Sequence, residues 1–456
     1  MTESPTSSAS VSLSEVLAAL SYALDLTEGQ RPGHTLRTCL IGMRLGEEIG
    51  LGEEMRSSLF YALLLKDAGC SSNAARMSSL FGSDDRFVKP FLKNIDRQER
   101  VKLALKTLLA SGRGGNVVSR LRHFVGISRT PDVTRDLISI RCERGAGIAM
   151  RLGFSEATAN AIRSLDEHWN GAGHPEGLSG EAIPILARII NICQTVEVFH
   201  SEHGIGGALA VLLQRRGTWF DPALVDRMLK WRNEAEAWGE ISADEIGDAV
   251  TGLEPGAEAK MLSTEELDEI ARAFADIIDA KSPFTYNHSA NVAAFAVAIA
   301  RASGADAAEQ KRIYRAGLLH DIGKLGVSNM ILDKPGRLTA EERIEVEQHP
   351  IFTNNILSHV RAFGDFAWTA SIHHECLDGT GYPYKLSAAQ IDGPARMLCV
   401  ADVYEALTAD RPYRSGMPPE DAFGLMRSAF ASKLCQTTID ALEGCHEGAG
   451  VVRNKS

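Results

Sequence analysis

The segment GLLHDIGKLG, residues 317–326, places His320, Asp321 and Lys324 close together in a helical context. Residues three or four positions apart share one face of a helix, so Lys324 projects on the side of His320 and near Asp321. Imidazole and carboxylate groups suit a divalent transition metal, and two metals can share a bridging carboxylate. Because Asp321 adjoins His320 and has two oxygens to offer, we expect it to bridge a metal pair.

More metal donors follow in the same half of the chain, each inside a short motif. TYNHSANV and QHP hold one histidine each, HHECLDGTGYP begins with two, and VADVYEAL contains an aspartate. The predicted ligands are His288, His320, Asp321, His349, His373, His374 and Asp402. Two metals lower the pKa of a shared water, and a nearby ammonium neutralises a phosphate oxygen. The set predicts a metal-dependent phosphohydrolase with Asp321 and Lys324 as catalytic residues.

The first half of the chain repeats this plan. A helical pattern and a turn lead to His34 in RPGHTLRT and, 254 positions later, to His288 in TYNHSANV. The same offset relates LLLKDAGC, which contains Asp67, to GLLHDIGK, which contains Asp321. A third match, DEHWNGAGHPEGLS with HECLDGTGYPYKLS, has an offset of 208, so the first copy carries 46 extra residues (254 minus 208). A register kept over three motifs indicates an internal repeat.

The first copy has lost the ligand types. The replacements are Lys66 for His320, Leu165 and Asp166 for His373 and His374, and Gln194 for Asp402. No histidine between His123 and His168 stands for His349. A protonated ammonium cannot ligate a metal, and leucine has no lone pair to offer. We therefore expect the first copy to be metal-free and inactive.

Both copies are rich in alanine and leucine at helical spacing and lack a sustained alternating strand pattern. The sequence therefore predicts an all-α fold with two helical bundles in tandem. A chain of 456 residues also exceeds what one hydrophobic core usually serves. The stretch DAVTGLEPGAEAKMLS holds glycine, proline and acids, which places a boundary near residues 250–262. We assign residues 11–250 to the first domain and residues 263–445 to the second.

Composition excludes several other classes of protein. A formal charge of -11 disfavours duplex nucleic acid as a partner, although local cations and metals can still hold one or two phosphates. Eight cysteines without a CxxC pair argue against a disulfide framework or a thiolate zinc site. The first thirty residues lack Lys and Arg, and the apolar run VAAFAVAIA is too short to span a bilayer. We expect a cytoplasmic protein with no membrane partner.

Cationic and acidic residues downstream of Asp402 are candidates for substrate contact. Arg411 and Arg414 in RPYR could hold a second phosphate with their guanidinium groups, or belong to a solvated surface. Glu405 is a substrate-facing acid, a support for the metal ligands or an ordinary helix residue. Lys324 serves as a phosphate contact as well as a catalytic residue.

The glycine-rich stretch DGTGYP, residues 378–383, consists of turn-forming residues. One interpretation is a tight turn with no other role. The other is a turn that also shapes the substrate pocket through Gly381, Tyr382 and Pro383. The two interpretations are compatible, and we count these three residues among the substrate-binding candidates.

Taken in order, HDIGK, the separate His349-Pro350, HHECLDGTGYP and ADVYEALTADRPYR resemble the HD-GYP subgroup of the HD phosphohydrolase superfamily. The resemblance covers about residues 265–420, and residues 11–230 resemble a degenerate HD-type domain more weakly. It implies a tandem HD-type helical fold, the seven metal ligands given above, and phosphate contacts from Lys324, Arg411 and Arg414. Some members carry a third-metal glutamate where this chain has Phe284, so we expect two iron or manganese ions.

The resemblance also implies an activity. Members are bacterial second-messenger phosphodiesterases that open cyclic dinucleotides, chiefly cyclic di-GMP, to a linear dinucleotide and in some cases to mononucleotides. We favour cyclic di-GMP by family frequency, with 3′,3′-cyclic GMP-AMP as the alternative because some tandem proteins are specialised for it. A general HD nucleotidase and a metal-containing binding module are further alternatives. The first domain is expected to regulate, to sense a ligand or to form a homodimer.

Overall fold

The computed structural model describes residues 11–93, 105, 107–112, 117–129, 133–234, 238–239, 241, 246–256, 260–410 and 415–449. Within these ranges every regular element is a helix, and residue pairs bridge in the β manner only singly. The prediction of an all-α fold is therefore confirmed. The described helices include none that is long and apolar enough to cross a membrane.

The chain divides into two compact units. The first unit is Ser12–Met261, and the second consists mainly of Leu262–Ser456. The α-helices of the first unit are α1 (Leu13–Glu28), α2 (His34–Glu48), α3 (Glu53–Leu65), α4 (Ala74–Phe81), α5 (Asp85–Lys93), α6 (Val117–Arg129), α7 (Val133–Arg151), α8 (Glu156–Arg163), α9 (Ile185–Arg215), α10 (Pro222–Met228) and α11 (Gly247–Thr251).

The second unit continues with ten α-helices among its described residues. They are α12 (Thr264–Asp279), α13 (His288–Ala302), α14 (Ala307–Leu319), α15 (Asn329–Leu332), α16 (Ala340–Val346), α17 (His349–Leu357), α18 (Gly364–Ser371), α19 (Gly393–Thr408), α20 (Pro419–Ser428) and α21 (Gln436–Glu443). Short 3₁₀ turns join them. One of these turns, Ile322–Gly326, lies directly after His320 and Asp321.

Local sequence explains where these helices begin. Ser263 and Thr339 form capping boxes with a glutamate three residues later, which satisfies backbone N–H groups at the starts of α12 and α16. Asp306 and Asp392 accept backbone N–H groups at the starts of α14 and α19. In the first unit Ser155 does the same for α8. These caps set the starts of helices in both units, including α14, which precedes His320, and α19, which contains Asp402.

The two units share a local plan as well as a helical class. Asp25 accepts hydrogen bonds from the backbone and hydroxyl of Thr35, and Asp279 does the same for Ser289, 254 positions later. A single β bridge joins Asn170 to Ser179 in the first unit and Asp378 to Ser387 in the second. These two bridges lie 208 positions apart, which is the offset of the third sequence match.

A close helix approach is also repeated. A Cβ added to Gly323 would lie 1.9 Å from the carbonyl oxygen of His349, and one added to Gly69 would lie 1.9 Å from that of Arg141. Any side chain at either glycine would clash with a helix backbone. Arg141 therefore takes the position of His349 in the first unit, which sequence matching did not reveal.

Candidate metal centre

The seven predicted ligands come together in the interior of the second unit. His288 begins α13, His320 and Asp321 follow α14, His349 begins α17, His373 and His374 follow α18, and Asp402 lies within α19. Six of them are buried, and the side chain of His374 is 24% exposed. Donors that are far apart in sequence therefore lie close together in the interior of the second unit.

Backbone carbonyl groups aim three of the imidazoles. The Nδ1 atom of His320 lies 2.8 Å from the Gly317 carbonyl oxygen, and that of His349 lies 2.7 Å from the Val346 carbonyl oxygen. His373 makes the same contact three residues back, at 2.6 Å. When Nδ1 donates to a carbonyl, the proton is held there and Nε2 keeps its lone pair. Each Nε2 atom can therefore donate its lone pair to a metal.

The Nε2 atoms converge on the two oxygens of Asp321. His349 and His373 lie 3.4 and 3.5 Å from Oδ1, while His320 and His288 lie 3.3 and 3.5 Å from Oδ2. Two donor groups therefore meet at one carboxylate and use different oxygens. Donors bound to one metal at about 2.1 Å are typically about 3.0–3.5 Å apart, so these separations are of the right size.

Asp402 lies close to three of the same histidines. Its Oδ1 is 3.4 Å from Nε2 of His288 and 3.9 Å from Nε2 of His320. Its Oδ2 is 3.9 Å from Nδ1 of His374. The carboxylate thus faces histidines of both groups, and His374 differs from the other histidines by presenting Nδ1.

Glu405 lies behind His288 rather than at a substrate surface. Its Oε2 is 2.5 Å from Nδ1 of His288, and its side chain is buried. Although burial opposes protonation, Glu405 raises the pKa of His288 to about 10. Of the three roles considered for Glu405, its position fits support of a metal ligand.

Burial favours the neutral form of three further histidines, while neighbouring charges favour the ionised form of Asp321. Burial lowers the pKa of His349 to about 4 and lowers the pKa of His373 and His374 as well. Burial opposes ionisation of Asp321, but His320 and Lys324 hold the pKa of this carboxyl well below its usual value. Neutral imidazoles next to a carboxylate are the protonation states that a metal requires.

The donor set fits a metal. Among the described residues, the buried Nε2 of His320 and Oδ1 of Asp321 have no hydrogen-bond partner. Buried polar atoms are rarely left in that state, and a ligand commonly accounts for them. Three overlapping sets in the described part of the second unit have donors close enough together to hold an ion: Asp321 with His349, His373 and His374; His288 with His320 and Asp321; and His320 with His373 and Asp402.

Lys324 lies at the edge of the cluster, as its spacing predicts. Its Nζ atom is 2.5 Å from Oδ2 of Asp321, and the side chain is 23% exposed. A partly exposed ammonium in contact with the shared carboxylate can also reach an incoming anion.

The Gly-Tyr-Pro turn covers one side of the cluster. The ring of Tyr382 lies 4.7 Å from that of His374 and 6.3 Å from that of His349, between ring centroids. A Cβ added to Gly381 would lie 2.3 Å from the backbone nitrogen of Cys376, so only glycine fits there. The peptide bond before Pro383 is cis. Gly381 and Pro383 thus belong to the turn itself, and Tyr382 is the turn residue whose ring packs against His374 and His349.

Sequence reasoning missed Glu375, which holds this turn. Its carboxylate accepts the backbone N–H groups of Tyr384, Lys385 and Leu386 at 2.7, 3.1 and 2.8 Å. Glu167 holds the equivalent turn of the first unit in the same way. The signal was present in the sequence, because the two copies keep an acid at this position while the preceding histidine is lost.

Two predicted phosphate contacts, Arg411 and Arg414, lie outside the described residues. Phe284, at the position of a third-metal glutamate in some members, is partly buried and offers no donor atom. Nothing in the described part of the second unit therefore adds a third ligand group at that position.

The equivalent interior of the first unit holds cations instead of imidazoles. The ammonium of Lys66, at the position of His320, forms an ion pair with Asp67. The guanidinium of Arg141, at the position of His349, pairs with Asp166. Glu28, Asp67 and Cys70 lie close enough together for one ion, but buried cations already neutralise these acids.

Comparisons with known proteins agree with this geometry. A family model for the HD domain matches residues 129–224 and 272–434, more than half of the chain and part of each unit.

The chain belongs to the HD domain family.

Relatives of this HD-domain protein include phosphodiesterases from several bacteria. It is 42% identical, over 94% of both chains, to 3′3′-cGAMP-specific phosphodiesterase 3 of Vibrio cholerae serotype O1. It is also 42% identical to a cyclic di-GMP phosphodiesterase of Pseudomonas aeruginosa, but over 31% of this chain and 35% of the relative.

A solved structure matches along nearly the whole chain. It is a cyclic GMP-AMP specific phosphodiesterase of V. cholerae, with a TM-score of 0.67, 37% identity, and coverage of 96% of this chain and 98% of that one. The resemblance to the HD-GYP subgroup and the prediction of a phosphodiesterase are confirmed by these matches. HD-domain phosphohydrolases are metal-dependent, which agrees with the donor set.

Proposed function

We propose that this HD-domain protein hydrolyses a 3′,5′-phosphodiester bond of 3′,3′-cyclic GMP-AMP. The observation that carries the proposal is the match over 94% of both chains to a relative of that specificity. That match includes the first unit, in which the metal-ligating residue types are replaced, as well as the second. This choice revises the order expected from family frequency, in which cyclic di-GMP came first.

Cyclic di-GMP remains the second candidate. Cyclic di-GMP phosphodiesterases of P. aeruginosa and Thermotoga maritima match about a third of this chain, at 42% and 34% identity. The two substrates differ in one base and share both phosphodiester bonds. Contacts to the base therefore decide between them, and the seven predicted ligands do not.

The cluster in the second unit is proposed to hold two divalent ions, iron or manganese. Asp321 would be shared, with His288 and His320 at one ion, His349, His373 and His374 at the other, and Asp402 completing the set. When bound, such a pair supplies hydroxide near neutral pH and neutralises charge on a phosphodiester.

The chain's own residues prepare this reaction. Three backbone carbonyls and Glu405 fix the imidazoles before any ligand arrives, so little reorganisation is needed. Lys324 is placed to donate to a non-bridging phosphate oxygen, because its ammonium is partly exposed beside Asp321. Tyr382 packs on His374 and limits the access of water to that side. No protein nucleophile is required.

The deciding experiment compares substrates on one preparation of the full chain. Reconstituted protein is given 3′,3′-cyclic GMP-AMP, cyclic di-GMP and bis(p-nitrophenyl) phosphate, and the products are separated by chromatography. We expect the highest kcat/KM with cyclic GMP-AMP and a linear dinucleotide as the first product. Higher kcat/KM with cyclic di-GMP would select the second candidate. Turnover of the small diester alone would indicate a general HD phosphohydrolase.

We also infer that the first unit is a non-catalytic domain with a regulatory or dimerising role. What supports this is that Lys66 and Arg141 stand at the positions of His320 and His349 and pair with buried or partly buried acids. Sedimentation of the full chain with and without cyclic dinucleotide tests the role. A monomer under every condition would exclude dimerisation.

A further inference from the structure

Lys385 has an unusual backbone conformation next to the candidate site. Its φ is +55°, and among the described residues only Asn287 shares a positive φ without being glycine. The equivalent residue of the first unit is Gly177, with φ +76°. Side chains other than glycine are disfavoured in this region, so a lysine there carries a cost that the first unit avoids. Strained residues of this kind concentrate at functional sites.

Glu375 imposes this conformation. Its carboxylate binds the N–H groups of three consecutive residues, including that of Lys385 at 3.1 Å. Leu386 then packs into an apolar cluster with Ile372 and Ile391, which fixes the chain beyond the turn. The backbone is thus held on two sides, and the lysine must adopt the left-handed conformation.

The ammonium of Lys385 is available to a ligand. The side chain is exposed to solvent. Lys385 follows Tyr382 by three residues, so their Cα atoms are at most about 10 Å apart. The Tyr382 ring packs on His374, so the backbone of Lys385 is close in the chain to a residue that contacts the metal-centre histidines.

Two exposed aromatic rings form a pair that includes Tyr384, the residue before Lys385. Trp368 and Tyr384 are 42% and 38% exposed, and their ring centroids are 5.1 Å apart at an interplanar angle of 32°. The equivalent residues of the first unit are Asn160 and Glu176, which are polar and exposed. The aromatic pair and the lysine therefore occur together in the unit that keeps its ligands.

We propose that Trp368, Tyr384 and Lys385, here called the rim surface, bind the part of the cyclic dinucleotide that is not being hydrolysed. The inference rests on the proposed function. A cyclic dinucleotide carries two phosphates, so one lies at the metal centre while the other and both bases extend beyond it. Lys385 pairs with the distal phosphate, and the rings stack on one base.

The test measures KM and kcat separately for three variants of Lys385 in the full chain. Lys385→Gly introduces the residue of the first unit and removes the strain together with the charge. Lys385→Ala removes the charge and keeps the strain, and Lys385→Arg keeps both. We expect KM for the cyclic dinucleotide to rise about five- to tenfold in the Gly and Ala variants and to stay near the original in the Arg variant. The loss falls on KM more than on kcat, because the chemistry lies elsewhere.

Stability provides the second readout. Lys385→Gly is expected to raise the melting temperature, since it relieves the left-handed lysine. Gly177→Lys in the first unit is the matched control, with a lower melting temperature and an unchanged KM. A purely structural role predicts that Lys385→Gly stabilises the protein without raising KM, and that result would overturn the proposal.

The aromatic pair is tested in the same assay. Trp368→Ala and Tyr384→Ala should each raise KM. If both rings contact one base, the free-energy change from KM in the double variant should not exceed the sum of the changes in the two single variants. If KM in all of these variants equals that of the original protein, the two rings do not belong to the rim surface.

Equilibrium binding separates this proposal from the proposed function. If the original protein binds cyclic dinucleotide without hydrolysing it and Lys385→Gly weakens binding, only the proposed activity fails. If hydrolysis occurs and Lys385→Gly changes neither Kd nor KM, only the rim surface fails. If no cyclic dinucleotide binds, both proposals fail.

Discussion

The two units share a scaffold and differ in what neutralises their buried acids. In the second unit, imidazoles surround Asp321 in an arrangement suited to exchangeable cations. In the first unit, Lys66 and Arg141 stand where two of those imidazoles stand, and they pair with Asp67 and Asp166. The first unit therefore has covalently attached cations at these two positions, whereas we propose that the second unit takes up metal ions from solution there.

The first unit keeps two hydrogen-bonding contacts of the second unit although its metal-ligating residue types are replaced. His34 pairs with Glu197 as His288 pairs with Glu405, and Glu167 holds its turn as Glu375 does. These contacts thus serve the fold in both units. In the second unit they additionally hold the groups that we propose as ligands.

The largest difference is expected when the central aspartate is removed from each unit. Asp321→Ala should lower kcat by on the order of 10³-fold or more and abolish metal binding, because both donor groups use this carboxylate. Asp67→Ala should leave the kcat and the metal content unchanged. Steady-state kinetics and metal analysis of the two variants check this. Metal loss in Asp67→Ala would contradict the comparison.

Removing an attached cation should destabilise the first unit. Lys66→Met leaves Asp67 buried without its ammonium partner, and breaking a buried ion pair costs about 3–5 kcal/mol. We expect a lower first unfolding transition in denaturant, with no response to added metal. His320→Met is the matched variant, and its main effect should be loss of metal. A metal-dependent unfolding transition in Lys66→Met would argue for a metal in the first unit.

The two supporting glutamates should differ in their effect on metal affinity. Glu405→Gln is expected to weaken metal binding by about 10- to 100-fold, because a partner that orients a ligand imidazole contributes that much. Glu197→Gln should leave metal affinity unaltered, although it contacts His34 in the same way. Titration of metal-free protein with manganese distinguishes them. Similar affinities in both variants would show that Glu405 serves only the fold.

The smallest effect concerns acid stability of the first unit. Although burial opposes its ionisation, His34 and Arg37 lower the pKa of Glu197 to about 2, from an ordinary value of 4.5. A lowered pKa means that this stabilisation is present above pH 4.5 and is lost as the pH falls towards 2. We expect a loss of about 1 kcal/mol per pH unit in that window. Glu197→Gln should flatten the profile, and identical profiles would refute the assignment.

Much of the fold followed from the sequence because its signals are local or periodic. Helical spacing predicted an all-α chain, and three motifs in constant register indicated the repeat. Six of the predicted ligands stand at or next to a helix end, and Asp402 lies within α19. Tyr382 was found through its turn motif.

Other features depend on distances between segments that no local pattern encodes. Arg141 was missed because a guanidinium in place of an imidazole breaks the motif, and only the Gly69 contact identifies its position. Three roles stayed open for Glu405, which was counted among the substrate-binding candidates, because sequence cannot tell which side of α19 faces His288. The backbone of Lys385 could not be foreseen, since lysine ordinarily avoids that conformation.

The most direct test of the central claim is a metal titration of hydrolysis. Metal-free full-length protein is titrated with manganese or iron(II), and cyclic dinucleotide turnover is measured against bound ions per chain. We predict no turnover without metal, a plateau at two ions per chain, and no binding in Asp321→Ala. Full turnover in metal-free protein, or two ions still bound in Asp321→Ala, would contradict the account.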